Sequence, residues 1–259
     1  MGKLLAALFV FGLAAWLGLG GWTRLRAEVE DRRLSGAERV AKARALRGPA
    51  IRQRFAEAQL PYPPREIFLR AFKREAELEL WARKGAEPFR LVTVFPVLAS
   101  SGKPGPKRRE GDRQVPEGFY RIDRFNPQSS YHLSLGIDYP NASDRVRSHR
   151  EKPGGDIFIH GRDVTVGCLP LGDERIEELY LAALDAAAAG QRAIPVHIFP
   201  ARMAGEEWER FRHTEAERDG SLAAFWNELQ PVFDAFEKER RLPKIEVGPR
   251  GEYSVTMGR

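Results

Sequence analysis

At 259 residues, with 42% hydrophobic and 30% charged side chains, the chain has a globular composition with room for one sizeable domain or two small ones. Collagen-like, disordered and polytopic membrane classes are thereby excluded. A single cysteine, Cys168, rules out a disulfide framework and any multi-thiolate zinc or iron–sulfur centre within one chain, so any active role it has is that of a thiol. The formal charge of +6 is unevenly placed: residues 24–54 hold ten Lys/Arg against four Asp/Glu, whereas residues 55–259 hold 31 against 32. The basic excess belongs to an N-terminal arm, and nucleic acid is not expected as a partner.

Taken in chain order, residues 4–22 form a run of 19 without a charge, flanked by Lys3 and by Arg24 and Arg26. Roughly 17 to 25 apolar residues span a bilayer's hydrocarbon layer, and no Ala-x-Ala site closes the run. Residues 1–23 therefore read as a signal anchor, with a cleaved signal peptide as the alternative. The positive-inside count, taken alone, places the body in the cytoplasm, because Arg24, Arg26, Arg32, Arg33, Arg39 and Lys42 outnumber Lys3. Residues 24–60 are Arg- and Ala-rich with weak helical spacing and read as a basic helical stalk or linker, suited to lie against anionic lipid or wall polymer. The PYPP segment at residues 61–64 breaks helix and opens a domain over residues 61–259.

Strand signals follow. Ile67, Leu69 and Ala71 alternate with Phe68, Arg70 and Phe72; Leu78 and Leu80 alternate with charges; residues 89–95 are mostly apolar β-formers. Residues 101–118 are rich in Gly, Pro and basic residues and predict a long exposed loop. Strands resume at residues 119–122, 131–137, 156–160 and 194–199. Between the last two, Asp173 is placed to cap a helix with Ile176, Leu179, Tyr180, Ala183 and Leu184 on one face, ending near Gly190. Leu222, Phe225, Trp226, Leu229, Phe233 and Phe236 keep helical spacing, with a kink expected at Pro231, and read as core. His197 reads as a core histidine, and His149 and His213 as solvated.

The chemically informative stretch is DIFIHGRDVTVGCLPLGD, residues 156–173. A strand-like segment delivers His160 and Gly161; after seven intervening residues His160 is followed by Cys168 on a tight loop behind Gly167. A cysteine nucleophile needs a base to raise its thiolate fraction, and a neighbouring glycine lets backbone amides approach a developing oxyanion. On spacing alone, a buried structural cysteine is the competing reading, since free cysteine is among the most buried residue types.

The stretch is similar to a shortened signature of the YkuD-type L,D-transpeptidases, in which HG or HS leads to a [ST]-x-G-C loop: His160-Gly161 supplies the first half and Thr165-Val166-Gly167-Cys168 the second. It lacks the longer insertion found in most of that family and the usual histidine at Val166. The YafK-like murein branch, which has the compact spacing and tolerates a non-histidine before the glycine, resembles more of the chain. The matching blocks are GPKRREGDRQVPEGFYRI (residues 105–122), SSYHLSLGIDYPNASDR (129–145), IFIHGRDVTVGC (157–168) and VHIFPARM (196–203), followed by Phe225-Trp226.

The resemblance implies an α+β, β-rich fold, the YkuD-like sandwich with peripheral helices. It implies Cys168 as nucleophile, His160 as base and proton carrier, and Gly161 as the carbonyl that orients the imidazole. Amides near Gly167 and Cys168 would form the oxyanion hole, Thr165 would support their loop, and Tyr120 and His132 would line the substrate cleft, unless they are simply packed. The implied reaction is acyl transfer on peptidoglycan stem peptides through a thioester, with no metal and no organic cofactor. Implied partners are peptidoglycan, a wall-linked lipoprotein and, through the N-terminal segment, the membrane. The location implied is extracytoplasmic, at the inner membrane of the periplasm or cell envelope. An amidase that trims stems or releases wall-linked protein, and an inactive wall-binding protein, are the alternatives.

Overall fold

Alternate side chains of a strand leave on opposite sides of a sheet, and residues 67–72 are apolar on both sides except at Arg70, as a central strand requires. A computed structural model describes residues 33–256. Strands β1 (Glu66–Phe72), β2 (Glu77–Arg83), β3 (Arg90–Pro96), β4 (Gly118–Ser129), β5 (His132–Ile137), β6 (Phe158–His160), β7 (Leu169–Pro170) and β8 (Pro195–Phe199) form one sheet in the order β3-β2-β1-β8-β4-β5-β6-β7. β9 (Lys244–Val247) and β10 (Tyr253–Thr256) make a separate antiparallel hairpin. The helices are α1 (Gly36–Glu57), α2 (Ala142–Arg147), α3 (Asp173–Ala188), α4 (Gly205–Arg218) and α5 (Gly220–Glu239). The α+β class read from the sequence is the one observed, a large multi-strand sheet with several helices.

The two faces of β1 serve two cores. Ile67, Leu69 and Ala71 pack with Ile51 and Phe55 of α1 and with Ile176, Leu179 and Tyr180 of α3. On the other face Phe72 joins Phe199 and the α5 residues Phe225, Trp226 and Phe233, while Phe68 meets Trp81, Phe89 and Phe236. Arg70 lies among these rings, buried; its guanidinium stands 4.8 Å from the Phe236 centroid and pairs with Glu79 at 2.8 Å and Glu237 at 2.6 Å. Two carboxylates and an aromatic cage are what a charge at this depth needs. His197 is likewise enclosed, ringed by Phe68 and Phe119, and burial lowers its pKa to about 3, so it is a neutral core residue as expected.

Two sequence expectations need correction. The stalk over residues 24–60 becomes, from Gly36, a helix docked on the body: Ala43, Ile51 and Phe55 are fully buried, and a Ser35–Glu38 capping box starts it. Three of its bases are spent on α3, with Arg44 on Asp185, Arg47 on Glu174 and Glu177, and Arg54 on Glu178. Second, residues 101–118 are not a freely exposed loop. Glu117, wholly buried, accepts from Lys73 Nζ (2.8 Å), the Gly105 amide (3.1 Å) and Trp226 Nε1 (2.7 Å). Asp112 closes a tighter ring on Lys107 and the amides of Arg108, Arg109 and Gln114; burial pushes its carboxyl up, but these donors outweigh that and hold it below the usual range. α5 runs through Pro231 as one helix. The proposed signal anchor lies outside the described residues; among those described, no helix is long and apolar enough to cross a membrane.

Candidate active site

The sheet edge builds the site. β5 pairs antiparallel with β6, putting Ser134 opposite His160, and β6 pairs in parallel with β7, putting Ile159 beside Leu169 and His160 beside Pro170. Cys168, the residue before β7, therefore lies next to Phe158, one pleat repeat from His160 on the same face. Both open into a cavity of about 490 Å³ whose other walls include Ser129, Ser130, Tyr131, Ser134, Asp156 and the 164–166 loop.

His160 is only 3% exposed. Its Nδ1 donates to the Gly161 carbonyl at 2.5 Å, which fixes the tautomer and leaves Nε2 with a lone pair. Tyr131 covers it, ring centroids 4.7 Å apart. Gly161 admits no side chain: a Cβ would come within 2.6 Å of Asp173 Oδ1 and 2.7 Å of the Tyr131 carbonyl. Asp173 is the first residue of α3, not its cap; its carboxylate accepts the Arg162 amide at 2.8 Å and ties down the turn after His160.

The thiol of Cys168 is engaged with backbone. Sγ accepts from the Phe158 amide at 3.4 Å and donates to the Asp156 carbonyl at 3.7 Å; among the described residues no hydrogen bond joins it to His160. Burial pushes the thiol pKa up, with the Phe158 amide drawing it partly back. Burial also pulls the His160 imidazole below its ordinary range, against the Gly161 carbonyl and the Asp173 carboxylate. Both shifts favour uncharged forms, so the resting pair at neutral pH is thiol and imidazole. A raised thiol pKa lowers the thiolate fraction at every pH below it. Alkylation of Cys168 by iodoacetamide is therefore expected to titrate with a midpoint above the ~8.5 of a free cysteine; a midpoint below 7 would show an ion pair instead.

Thr165 Oγ1 accepts from the Cys168 amide and donates to the Cys168 carbonyl, both at 2.9 Å. Both amides expected to form the oxyanion hole are engaged by hydroxyls in this structure. The Cys168 amide is held by Thr165, and the Gly167 amide donates to Ser101 Oγ at 2.7 Å, so neither points unengaged into the cavity. Gly167 has φ +87°, and a Cβ there would lie 3.0 Å from the Gln114 carbonyl. Gly167→Ala is expected to cost about 1–3 kcal/mol and to displace the loop; a melting temperature and thiol reactivity equal to the parent's would contradict that.

Two expected cleft residues lie elsewhere. Tyr120 is buried on β4, its hydroxyl donating to Asp144 (3.0 Å) and the Glu117 carbonyl (3.1 Å); burial, then the Asp144 charge, raises its pKa well above normal. His132 turns towards α3, Nε2 at 2.9 Å from Glu177. Neither lines the cavity. The sequence reading missed Ser101, Tyr131 and Arg39. Arg39 reaches from α1 to the Pro127 and Ser129 carbonyls at 3.0 Å and the His132 carbonyl at 2.6 Å, bracing the turn that carries Tyr131. An arginine four residues before Ala43 on the buried stripe was its one sequence signal.

Residues 73–198 match the YkuD family model, described as the L,D-transpeptidase catalytic domain. The chain is also 32% identical over 192 residues to the "Putative L,D-transpeptidase YafK" of Escherichia coli K12, covering 73% of this chain and 74% of that protein. The chain belongs to the YkuD L,D-transpeptidase family. Among solved structures similar to this YkuD-family chain is the helical cell shape determining protein Pgp2 from Campylobacter jejuni, at 19% identity and a TM-score of 0.42, covering 71% of this chain and 73% of that one. Another is Bd1075 of Bdellovibrio bacteriovorus, at 20% identity and a TM-score of 0.38, covering 60% of this chain and 55% of that one. Among the described residues of the YkuD-family chain no group of three or more His, Cys, Asp or Glu is placed to hold a metal ion.

Proposed function

We propose that the protein is a cysteine acyltransferase acting on peptidoglycan stem peptides. The observation that carries this is the shared cavity wall that holds a tautomer-fixed imidazole at the end of β6 and a thiol on the residue that leads into its neighbour β7. Cys168 Sγ attacks the carbonyl carbon of an L-centre amide as its proton passes to His160 Nε2. The tetrahedral adduct expels the amine, which takes that proton, and leaves a thioester on Cys168. A second amine then attacks the thioester carbonyl, passing its proton through His160, and the thiol is released. Because the resting pair is uncharged, proton transfer accompanies attack and does not precede it.

The developing oxyanion competes for the Cys168 and Gly167 amides with two neutral hydroxyls, those of Thr165 and Ser101. A charged oxygen is the stronger acceptor, so the hydroxyls hold the amides aligned until it forms. Removing one hydroxyl leaves its amide unheld, and Ser101→Ala is expected to slow acylation several-fold without moving the thiol's alkylation midpoint; an unchanged acylation rate would exclude the role.

Hydrolysis is the second reading, favoured by one observation: the connection from His160 to Cys168 has only seven residues, with Val164 and Val166 on it 56% and 66% exposed, too short to supply the lid that a longer insertion at this position could form. Incubation of the purified protein with tetrapeptide muropeptides decides between them. Intact mass is expected to show a stem-peptide adduct on Cys168, and chromatography new cross-links. Trimmed stems or released lipoprotein without cross-links would make the protein an amidase, and no adduct would remove the thioester.

Such a substrate puts the body outside the cytoplasmic membrane, held by the residue 4–22 segment, against the positive-inside count. Alkaline phosphatase fused at the C-terminus is expected to be active; an inactive phosphatase with a fluorescent green-protein fusion would refute that location.

A further inference from the structure

A second cleft lies on the other side of the nucleophile loop. It encloses about 800 Å³ between residues 100–114 and Thr165, and Thr165 lines both it and the cavity of His160 and Cys168. Its charged lining is Lys103, Arg108, Arg109, Arg113 and Asp112. Asp112 is consumed by Lys107 and three backbone amides, and Arg108 by Asp144 at 3.1 Å. Among the described residues, Lys103, Arg109 and Arg113 have no ion-pair partner, so three uncompensated cations face one concavity.

The catalytic cavity has the opposite character. Its walls carry neutral polar and apolar groups, one carboxylate (Asp156) and an imidazole that burial holds uncharged. An anionic substrate finds no fixed positive charge there. We propose that the Lys103–Arg109–Arg113 cleft is a carboxylate subsite, which receives a free carboxylate of the acyl-donor peptide while the scissile amide lies across Thr165 at Cys168. This rests on the proposed acyl-transfer reading and adds its selectivity: peptides with free carboxylates are preferred to amidated ones. Guanidinium groups suit the task because they meet a carboxylate through paired N–H donors. The loop that carries them also supplies Ser101 to the Gly167 amide, so subsite and nucleophile loop are mechanically one unit.

The test measures binding to the full-length Cys168→Ala protein by calorimetry, using a stem tetrapeptide with free carboxylates and its fully amidated counterpart. The free acid is expected to bind about tenfold more tightly at low salt, with the preference shrinking as ionic strength screens the exposed cations. In Arg109→Gln/Arg113→Gln the preference falls to within about twofold, and in Arg109→Lys/Arg113→Lys, which keeps both charges, most of it returns. Melting curves of both double variants check folding. Equal affinity for the two peptides, a preference that survives the double Gln variant, or failure of the free acid to bind overturns the subsite. Inorganic phosphate competing as well as the peptide acid would reduce it to a general anion cleft and overturn the peptide assignment. Acid-selective binding by a protein whose wild type forms no Cys168 adduct would leave the subsite standing and remove the acyl-transfer reading; an adduct without acid selectivity would do the reverse.

Discussion

Cys168→Ala and His160→Ala are each expected to lower acyl transfer by roughly 10³-fold or more, with Cys168→Ser nearly as inactive. The thiol and the imidazole serve one covalent cycle, so losing either stops both half-reactions, and the double variant should be no worse than the single ones. Little folding energy is at stake at Cys168, which is half-buried and contacts backbone through two long sulfur hydrogen bonds. Its melting temperature should stay within a few degrees of the parent. His160 is the more enclosed of the two, so Gln in place of His, which keeps a polar side chain of similar length, separates loss of the base from loss of packing. Single-turnover adduct formation, followed by mass, is the measurement. A Cys168→Ala protein with a substantial rate would assign the nucleophile elsewhere.

Glu117→Ala is expected to be the most destabilising single change in the loop framework. It leaves the Lys73 ammonium, 2.8 Å away, and the Trp226 indole N–H, 2.7 Å away, buried opposite a hole. Removing one partner of a buried ion pair costs about 3–5 kcal/mol, which for a body of this size corresponds to a fall of roughly 10 °C in melting temperature. Glu117→Gln should fall less, because an amide oxygen still accepts one of those bonds. Differential scanning calorimetry distinguishes them, and an alanine variant melting within two degrees of the parent would show that the network contributes nothing net. Since Glu117 also fixes Gly105 in the loop that carries Ser101, the same variant should weaken the hold on the Gly167 amide.

Much of this architecture was legible in residue spacing. The alternation in β1 and the stripes in α3 and α5 are direct images of burial, and the HG and GC dipeptides mark turns whose backbone tolerates no Cβ. What spacing does not carry is the direction a strand residue faces when both faces are buried. Tyr120 and His132 lie in segments matching the family, yet their partners are Asp144 and Glu177, 24 and 45 residues away, on the sides turned from the cavity. α4 was missed because it is dominated by charges, with only Trp208 and Glu215 buried. α1 was misread because its buried stripe is Arg39, Ala43, Ile51 and Phe55, where a cation and an alanine hide the period and the ion pairs that neutralise three of its bases come from α3, more than 120 residues on.

The docking of α1 also sets a leash. With the anchor proposed at residues 4–22, only residues 23–35 remain between membrane and body, because everything from Gly36 onward moves with the sheet. At about 3.3–3.6 Å per residue, that stretch reaches at most about 45 Å even when drawn straight. The cavity would then patrol a shell of that depth along the bilayer, meeting strands of wall polymer that come down to it and none that lie farther out.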